Sequence, residues 1–564
     1  RNRIQVSQQT ANLLIEAGKE NWIAPRKDLV EAKGKGTIQT YWVLTRRQPA
    51  SSDGNSTQRP KFIPLSTMES NPEENESDMD SEEGSVWGND EDELNESTNL
   101  LAIPNTDLKD HYERLIDWQV EIFSKVLRQI VAGRDYTHLG VDVVPDPSSV
   151  VKSDGPVVEE VLECIQLPKF DPKAAKARVT RPGVVELPSE VIYELRRFIR
   201  AIARRYRQNP FHSYAHASHV VQSANKLLAR IVKPEVVDYR RHSLNAIASD
   251  LHDYTYGITS DPLTHFAVLF ATLIHDVDHT GVTNAQRGKE EPEMAERYKN
   301  KSVAEQNSID LAWLELSQPK YKNLLQCICA TEEELKRFRQ LIVNLVMATD
   351  IFEPDMKELR NRRWDKAFHR NEGPRSEISD FSMEEDKNMR ATIVIEHIIQ
   401  AADVSHCMQH WQVYKRWNER LFQEMYLAYE EGRGPKDPSE GWYKGELWFF
   451  DNYIIPLAKK LEECGVFGVS SDECLNYALQ NRKEWASKGQ EVVEEMVERF
   501  KTWRRLGLPL GNPLQEEEEE EFDSGRMYQK RDVEQGLPAP PLVSSDEGNF
   551  DDDEEEDDES IVVA

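Results

Sequence analysis

Two histidines four residues apart, in Asn209-Pro-Phe-His212-Ser-Tyr-Ala-His216, share one face of a helix. Imidazoles so placed can reach one pocket, one as a metal ligand and the other as an acid or base. By itself the pair also fits a solvated or capping role. A second cluster carries more. The apolar run from Thr264 to Ile274 ends in His275-Asp276-Val277-Asp278-His279, four ionisable residues in five positions directly after a segment apolar enough to be buried. Such groups are costly in a core unless they pair or coordinate a metal. The device recurs where residues 391–402, again apolar, deliver Asp403 at their end, although a lone Asp there also serves as a helix cap. In conjunction, two His and two Asp suit one divalent ion such as Zn²⁺. A carboxylate such as Asp276 can bridge to a second ion that keeps its waters, as Mg²⁺ prefers. That set points to hydrolysis at phosphorus.

The elements that must position these residues are mostly helical. Tyr112, Leu115, Trp118, Ile122 and Phe123 recur at helical spacing, and residues 187–508 carry further helical stretches at 195–200, 220–231, 266–274, 341–348, 391–402 and 492–503. Turn signals at Asp261-Pro262, Gly373-Pro374 and Gly432-Arg-Gly-Pro435 punctuate them. The expectation is an all-α domain over 187–510, preceded by a helical lead-in over 105–186. Residues 1–47 mix a helical stretch (7–18) with a strand-like run, Gly36-Thr-Ile-Gln-Thr-Tyr-Trp-Val-Leu44, too little for a domain of their own. Residues 48–104 are rich in Ser, Asn, Asp and Glu and cannot offset their ordering entropy, so a disordered acidic linker is expected there. The segment 511–564 reads as a disordered acidic tail.

Of the formal net charge of −31, residues 51–100 supply −12 and residues 511–564 supply −17, so the body is nearly neutral. Without a basic stripe the chain is a poor binder of nucleic acid or anionic membrane. It has no run of 18 apolar residues and no signal-peptide pattern. Because it opens on Arg1, the expectation is a piece of a longer protein. Its six scattered cysteines make no zinc-site pattern and read as reduced, mostly buried thiols.

The motifs His212-x-x-x-His216, His275-Asp276-x-Asp278-His279 and Ala402-Asp403, in this order over roughly 187–508, resemble the signature of class I cyclic-nucleotide phosphodiesterases. The resemblance implies an all-helical fold of the HD type that hydrolyses cyclic nucleotides to 5′-nucleoside monophosphates. It implies Zn²⁺ held by His216, His275, Asp276 and Asp403, and Mg²⁺ or Mn²⁺ bridged by Asp276. His279 and Glu305 match positions around the metal-held waters, and His212 matches the general acid that protonates the departing 3′ oxygen.

Gly445-Glu446-Leu-Trp-Phe449 lines up with the segment that supplies a purine-binding glutamine and an aromatic clamp. Phe449 fits the clamp, but Glu446 stands where the family has Gln. An ionised Glu only accepts hydrogen bonds, which favours the N1–H and N2–H₂ of guanine and hence cGMP over cAMP. His406 likewise replaces an expected Asn.

A weaker resemblance covers residues 1–47: Asn2-Arg-Ile-Gln-Val-Ser7, Trp22, Ala32-Lys33-Gly-Lys-Gly36 and Thr37-Ile-Gln-Thr-Tyr-Trp42 look like the last strands of a class III adenylate/guanylate cyclase domain. Lys33 or Lys35 would there neutralise a nucleotide triphosphate. The implied parent joins a cyclase to a phosphodiesterase on the cytosolic face, as a homodimer through the cyclase domain, with any membrane contact supplied by an upstream segment. Two other readings stay open: a different His-Asp metal phosphohydrolase, and a non-catalytic cyclic-nucleotide-binding regulator of the cyclase.

Overall fold

In the computed structural model the described residues are 5–7, 11, 23–26, 30–32, 36–38, 40–43, 106–134, 145–151, 155–180, 185–231, 244–368, 383–467 and 472–506. They fall into two units, 1–89 and 90–564. In the second, the apolar periodicity is realised as helices: α1 (Thr106–Gly133), α2 (Ser189–Arg205), α3 (Tyr214–Ala229), α4 (Pro262–Ile274), α5 (Asn284–Glu290), α6 (Val303–Leu316), α7 (Glu332–Met347), α8 (Met383–Asp403), α9 (Trp411–Glu430), α10 (Trp442–Phe449) and α11 (Glu473–Leu506), with shorter helices between.

Helix α4 is the axis of this unit. Pro262 begins it where a backbone N–H would lack an intrahelical partner, and every residue to Ile274 except His265 is buried. A helix apolar on all sides belongs at the centre, and α1, α3 and α7 pack around it while α3 also packs on α8. The helices that carry or deliver the His and Asp residues are therefore neighbours in the core.

The lead-in shares that core. Ile116, Phe123 and Leu127 of α1 are buried, and the Phe123 ring meets Phe266 of α4 edge-on at 5.3 Å. Buried Gln119 accepts from the Tyr214 hydroxyl at 3.0 Å and donates to Ser218 Oγ at 2.9 Å, tying α1 to α3. Further on, helix side chains take up the backbone of an extended segment. Asn344 accepts from Leu162 N–H at 3.0 Å and donates to Leu162 O at 2.8 Å. Thr392 Oγ1 accepts from Ile165 N–H, and Asn388 Oδ1 from Leu167 N–H, both at 2.9 Å.

In the first unit, β1 (Gln5–Ser7), β5 (Thr40–Val43) and β2 (Ile23–Pro25) form an antiparallel sheet in that order, with Gln5 opposite Trp42 and Ile23 opposite Val43. A separate pair joins β3 (Val30–Ala32) to β4 (Gly36–Ile38). The strand-like run expected over 36–44 is thus used as two strands in different sheets. Of the stretch expected to be helical over 7–18, Ser7 lies in β1 and Ala11 is helical. Its other residues, the linker 48–104 and the tail 511–564 lie outside the described residues. Among the described residues no helix is long and apolar enough to cross a membrane. All six cysteines are free thiols, with Cys329, Cys407 and Cys464 buried.

Candidate active site

Three helix ends converge. His216 lies in the first turn of α3, whose N-cap Ser213 accepts from the His216 N–H. His275 and Asp276 follow the last residue of α4, and Asp403 is the last residue of α8. Ligand atoms of His216, His275 and Asp403 all lie within 4.8 Å of one another. His216 Nε2 is 3.0 Å from Asp403 Oδ1 and 3.8 Å from Asp276 Oδ2. His275 donates through Nδ1 to Thr272 O at 2.9 Å, which leaves the Nε2 lone pair facing the cluster.

His275 Nε2 sits 3.0 Å from Asp276 Oδ2 and 3.3 Å from Asp403 Oδ1, yet it has no aligned hydrogen-bond partner. Buried polar atoms are normally paired, and a nitrogen that faces two carboxylates without bonding either fits a shared cation. Burial opposes the charge on Asp276, but a positive charge at this point, which protonated His275 supplies when no cation is held there, keeps it well below the usual carboxylate range. Asp403 is likewise held down by His275 and His216 against its burial.

Beside this cluster lies a polar relay that joins His212 to α9. The carboxylate of Glu424, 4% exposed, accepts the backbone N–H groups of Phe211 and His212 through Oε2, both at 2.9 Å. Its Oε1 makes a short hydrogen bond with His212 Nδ1. Burial alone would lower the His212 pKa, but the Glu424 charge raises it to about 9. The His279 ring lies against His212, tilted by 32° with centroids 3.7 Å apart, and burial beside that cation pushes its own pKa down to about 3. Glu424 was not singled out in the sequence, although it lies with Trp417, Leu421 and Ala428 on an otherwise apolar helical stripe.

The turn between these groups is strained. Asp278 has φ 63°, a backbone region non-glycine residues rarely adopt, and its carboxylate is bound by Arg207 (2.8 Å), buried Arg287 (2.9 Å) and Asn307 (3.1 Å). Asp278 thereby faces away from the cluster while Asp276 and His279 face the cavity.

Glu305 and Asp350 share the amide of Asn284, at 3.0 and 3.2 Å. Burial first, and then the Asp350 charge, raise the Glu305 pKa to about 8. Asp350 follows the apolar end of α7, the same pattern that marked Asp403, and that signal was available in the sequence.

A cavity of about 710 Å³ opens over these groups, lined by His212, Asp276, His279, Glu305, Asp350, Asp403, His406 and Phe449 among others. His216 and His275 are buried and are not among its lining residues. Phe449 stacks on Tyr453 at 5.4 Å, just ahead of the π-helical turn Phe450–Ile454. His406 is buried edge-on to Phe211, and burial depresses its pKa to about 3. Glu446 is not among the lining residues. It is 5% exposed and accepts from the Tyr414 hydroxyl at 2.7 Å, and burial outweighs its hydrogen bonds to raise its pKa to about 7.

Residues 211–465 match the 3′5′-cyclic nucleotide phosphodiesterase family. A probable 3′,5′-cyclic phosphodiesterase of Caenorhabditis elegans is 27% identical over 220 residues, 39% of this chain and 26% of that protein. The cGMP-specific 3′,5′-cGMP phosphodiesterase 3 of Dictyostelium discoideum is 21% identical over 300 residues, 52% of this chain and 55% of that protein. The chain thus spans about a quarter to a half of these relatives. Among solved structures, the phosphodiesterase domain of the Salpingoeca rosetta rhodopsin phosphodiesterase matches with a TM-score of 0.41 and 21% identity, covering 63% of this chain and 97% of that one.

Proposed function

We propose that this chain, whose residues 211–465 carry a class I cyclic-nucleotide phosphodiesterase catalytic domain, hydrolyses 3′,5′-cyclic nucleotides to 5′-nucleoside monophosphates. The observation that carries this reading is the meeting of the His216, His275 and Asp403 cluster with the His212–Glu424 pair around one cavity.

His216, His275, Asp276 and Asp403 would hold one divalent ion, for which their donor set suits Zn²⁺, and Asp276 would bridge to Mg²⁺ or Mn²⁺. Such a pair, when bound, polarises phosphate oxygens and acidifies water. His279 and Glu305 order water on that side of the cavity. Water adds to phosphorus opposite the 3′ oxygen as that phosphorus–oxygen bond breaks; His212, kept protonated by Glu424, gives its proton to the departing 3′ oxygen, and the proton released by the water leaves to solvent and in time restores the imidazolium. Phe449 stacks on the purine. His406, which lines the cavity, and Glu446, which is buried outside its lining and bonded to Tyr414, would set the base preference, Glu446 toward cGMP.

Residues 1–47 are proposed as the end of a class III cyclase domain, a reading supported by the antiparallel strands of β1, β5 and β2. The parent would then make and destroy one messenger, as a homodimer through its cyclase portion on the cytosolic face of a membrane reached only through an upstream segment.

The test is turnover of cGMP and cAMP by the full chain with Mg²⁺, against Asp403→Ala. Hydrolysis of either to its 5′-monophosphate, abolished in the variant, is the expected result. Nucleotide binding without turnover in saturating metal would favour a regulatory domain, and turnover of monoesters alone a different phosphohydrolase.

A further inference from the structure

We propose that Gln306 is a positioning residue through which the extended segment ahead of the catalytic helices sets the cavity wall at Asn300, Lys301 and Ser302. The inference rests on the phosphodiesterase reading of that cavity.

The wall is a strained turn whose backbone hydrogen bonds run from Lys299 N–H to Glu296 O at 3.1 Å, Asn300 N–H to Ala295 O at 2.7 Å and Lys301 N–H to Tyr298 O at 3.2 Å. Lys299 (φ 55°), Asn300 (φ 55°) and Ser302 (φ 40°) all occupy the left-handed region, and none is glycine. Such conformations persist only where the surroundings over-determine them. Asn300, Lys301 and Ser302 line the cavity, and Glu305 follows them in the first turn of α6.

Gln306, without exposed surface, adds the side-chain constraint that ties this turn to the upstream segment. Its Nε2 donates to Tyr298 O at 3.1 Å and Lys301 O at 2.5 Å, bracketing the strained turn. Its Oε1 accepts the backbone N–H of Val158 at 3.0 Å. Two carbonyls on one side and an N–H on the other admit a single amide orientation, so one side chain ties loop and upstream segment together.

The upstream end is itself anchored. Val158 sits in the short helix Val157–Glu160, where Glu160 is paired with buried Arg339 of α7 through two hydrogen bonds, at 3.0 and 2.9 Å. Next to it the Glu159 carboxylate pairs with Lys299, the first residue of the strained stretch. Shifting 157–160 would leave the buried Gln306 carbonyl unsatisfied, so segment and wall move together.

The test uses the full chain and two variants. Gln306→Met keeps the volume and removes all three hydrogen bonds; Glu159→Ala removes the half-exposed ion pair and leaves the core intact. For Gln306→Met, hydrogen exchange at the 300–302 amides should speed up by about tenfold or more. Its kcat should fall about tenfold with KM within about twofold. For Glu159→Ala, the same amides should exchange about threefold faster with an unchanged melting temperature. Unchanged exchange at 300–302 in either variant overturns the proposal, as does faster exchange in Gln306→Met with unaltered kcat. A wild-type chain that turns over nothing refutes the phosphodiesterase reading alone, because the exchange readout needs no substrate.

Discussion

The His212 and His279 rings lie against each other with centroids 3.7 Å apart and a tilt of 32°, yet at neutral pH only His212 is charged, because Glu424 holds its pKa at about 9 while His279 is pushed down to about 3. Neighbouring imidazoles with separated pKa values divide acid and acceptor duties without exchanging them.

The His212 pKa lies above its ordinary value, so the protonated acid is fully present well below pH 9 and is lost as pH rises through about 9. Glu424→Gln removes the counter-charge and leaves burial to dominate. The descending limb of the pH–rate profile should move to about pH 7 or lower, with kcat at pH 8 down about tenfold or more. A limb that stays near 9 would show that His212 is not the proton donor.

Asp403→Asn removes a charge from the His216–His275–Asp403 cluster. Elemental analysis should find the variant depleted of zinc. Divalent ions should raise the melting temperature of the wild type, which binds them only when folded, but not that of the variant. Turnover should fall by more than about a hundredfold, beyond the loss typical for groups that only support a ligand. Equal metal content in both proteins would remove Asp403 from the binding set.

Glu446 accepts from Tyr414 and sits near its protonation midpoint at neutral pH, with a pKa of about 7. Its charged, accept-only form grows as pH rises through 7, so the ratio of kcat/KM for cGMP over cAMP should increase between pH 6 and 8. Glu446→Gln should abolish that pH dependence and lower the ratio about tenfold at pH 8. A ratio indifferent to both the substitution and pH would assign base choice elsewhere.

Asp278 neutralises Arg287, which is 1% exposed, from a left-handed backbone position. Asp278→Ala should cost about 2 kcal/mol in urea unfolding, because it leaves the buried Arg287 guanidinium with Glu291 as its remaining carboxylate, at 3.3 Å, and keeps the strained φ. Asp278→Asn, which tolerates that φ and keeps an acceptor, should lose about half as much. Equal losses in both would mean that the charge alone matters.

Much of this arrangement was legible in residue order. Apolar periodicity marked α1, α3, α4 and α8, and the polar cluster directly after α4 had to be paired or liganded. Glu424 escaped because its partner His212 lies 212 positions away. Local sequence showed only one acid among several on α9, and its place on the apolar stripe was the sole clue. Asp350 followed an apolar helix as Asp403 does, but without histidines beside it. The motif resemblance implies a base-reading role for Glu446, whereas its engagement with Tyr414 depends on how α10 sits against α9. The run over 36–44 read as one strand because alternation says nothing about which partner each half chooses.

The burial of α1 against α4 also sets the smallest piece of this protein that can stand alone in solution. A gene cut at residue 187 would keep His212, His216, His275, Asp276 and Asp403, but it would strip the cover from Phe266 and leave Tyr214 and Ser218 without Gln119. Such a fragment would carry all the chemistry on an open greasy trough and would clump before it could be assayed, so soluble expression has to begin upstream of Thr106.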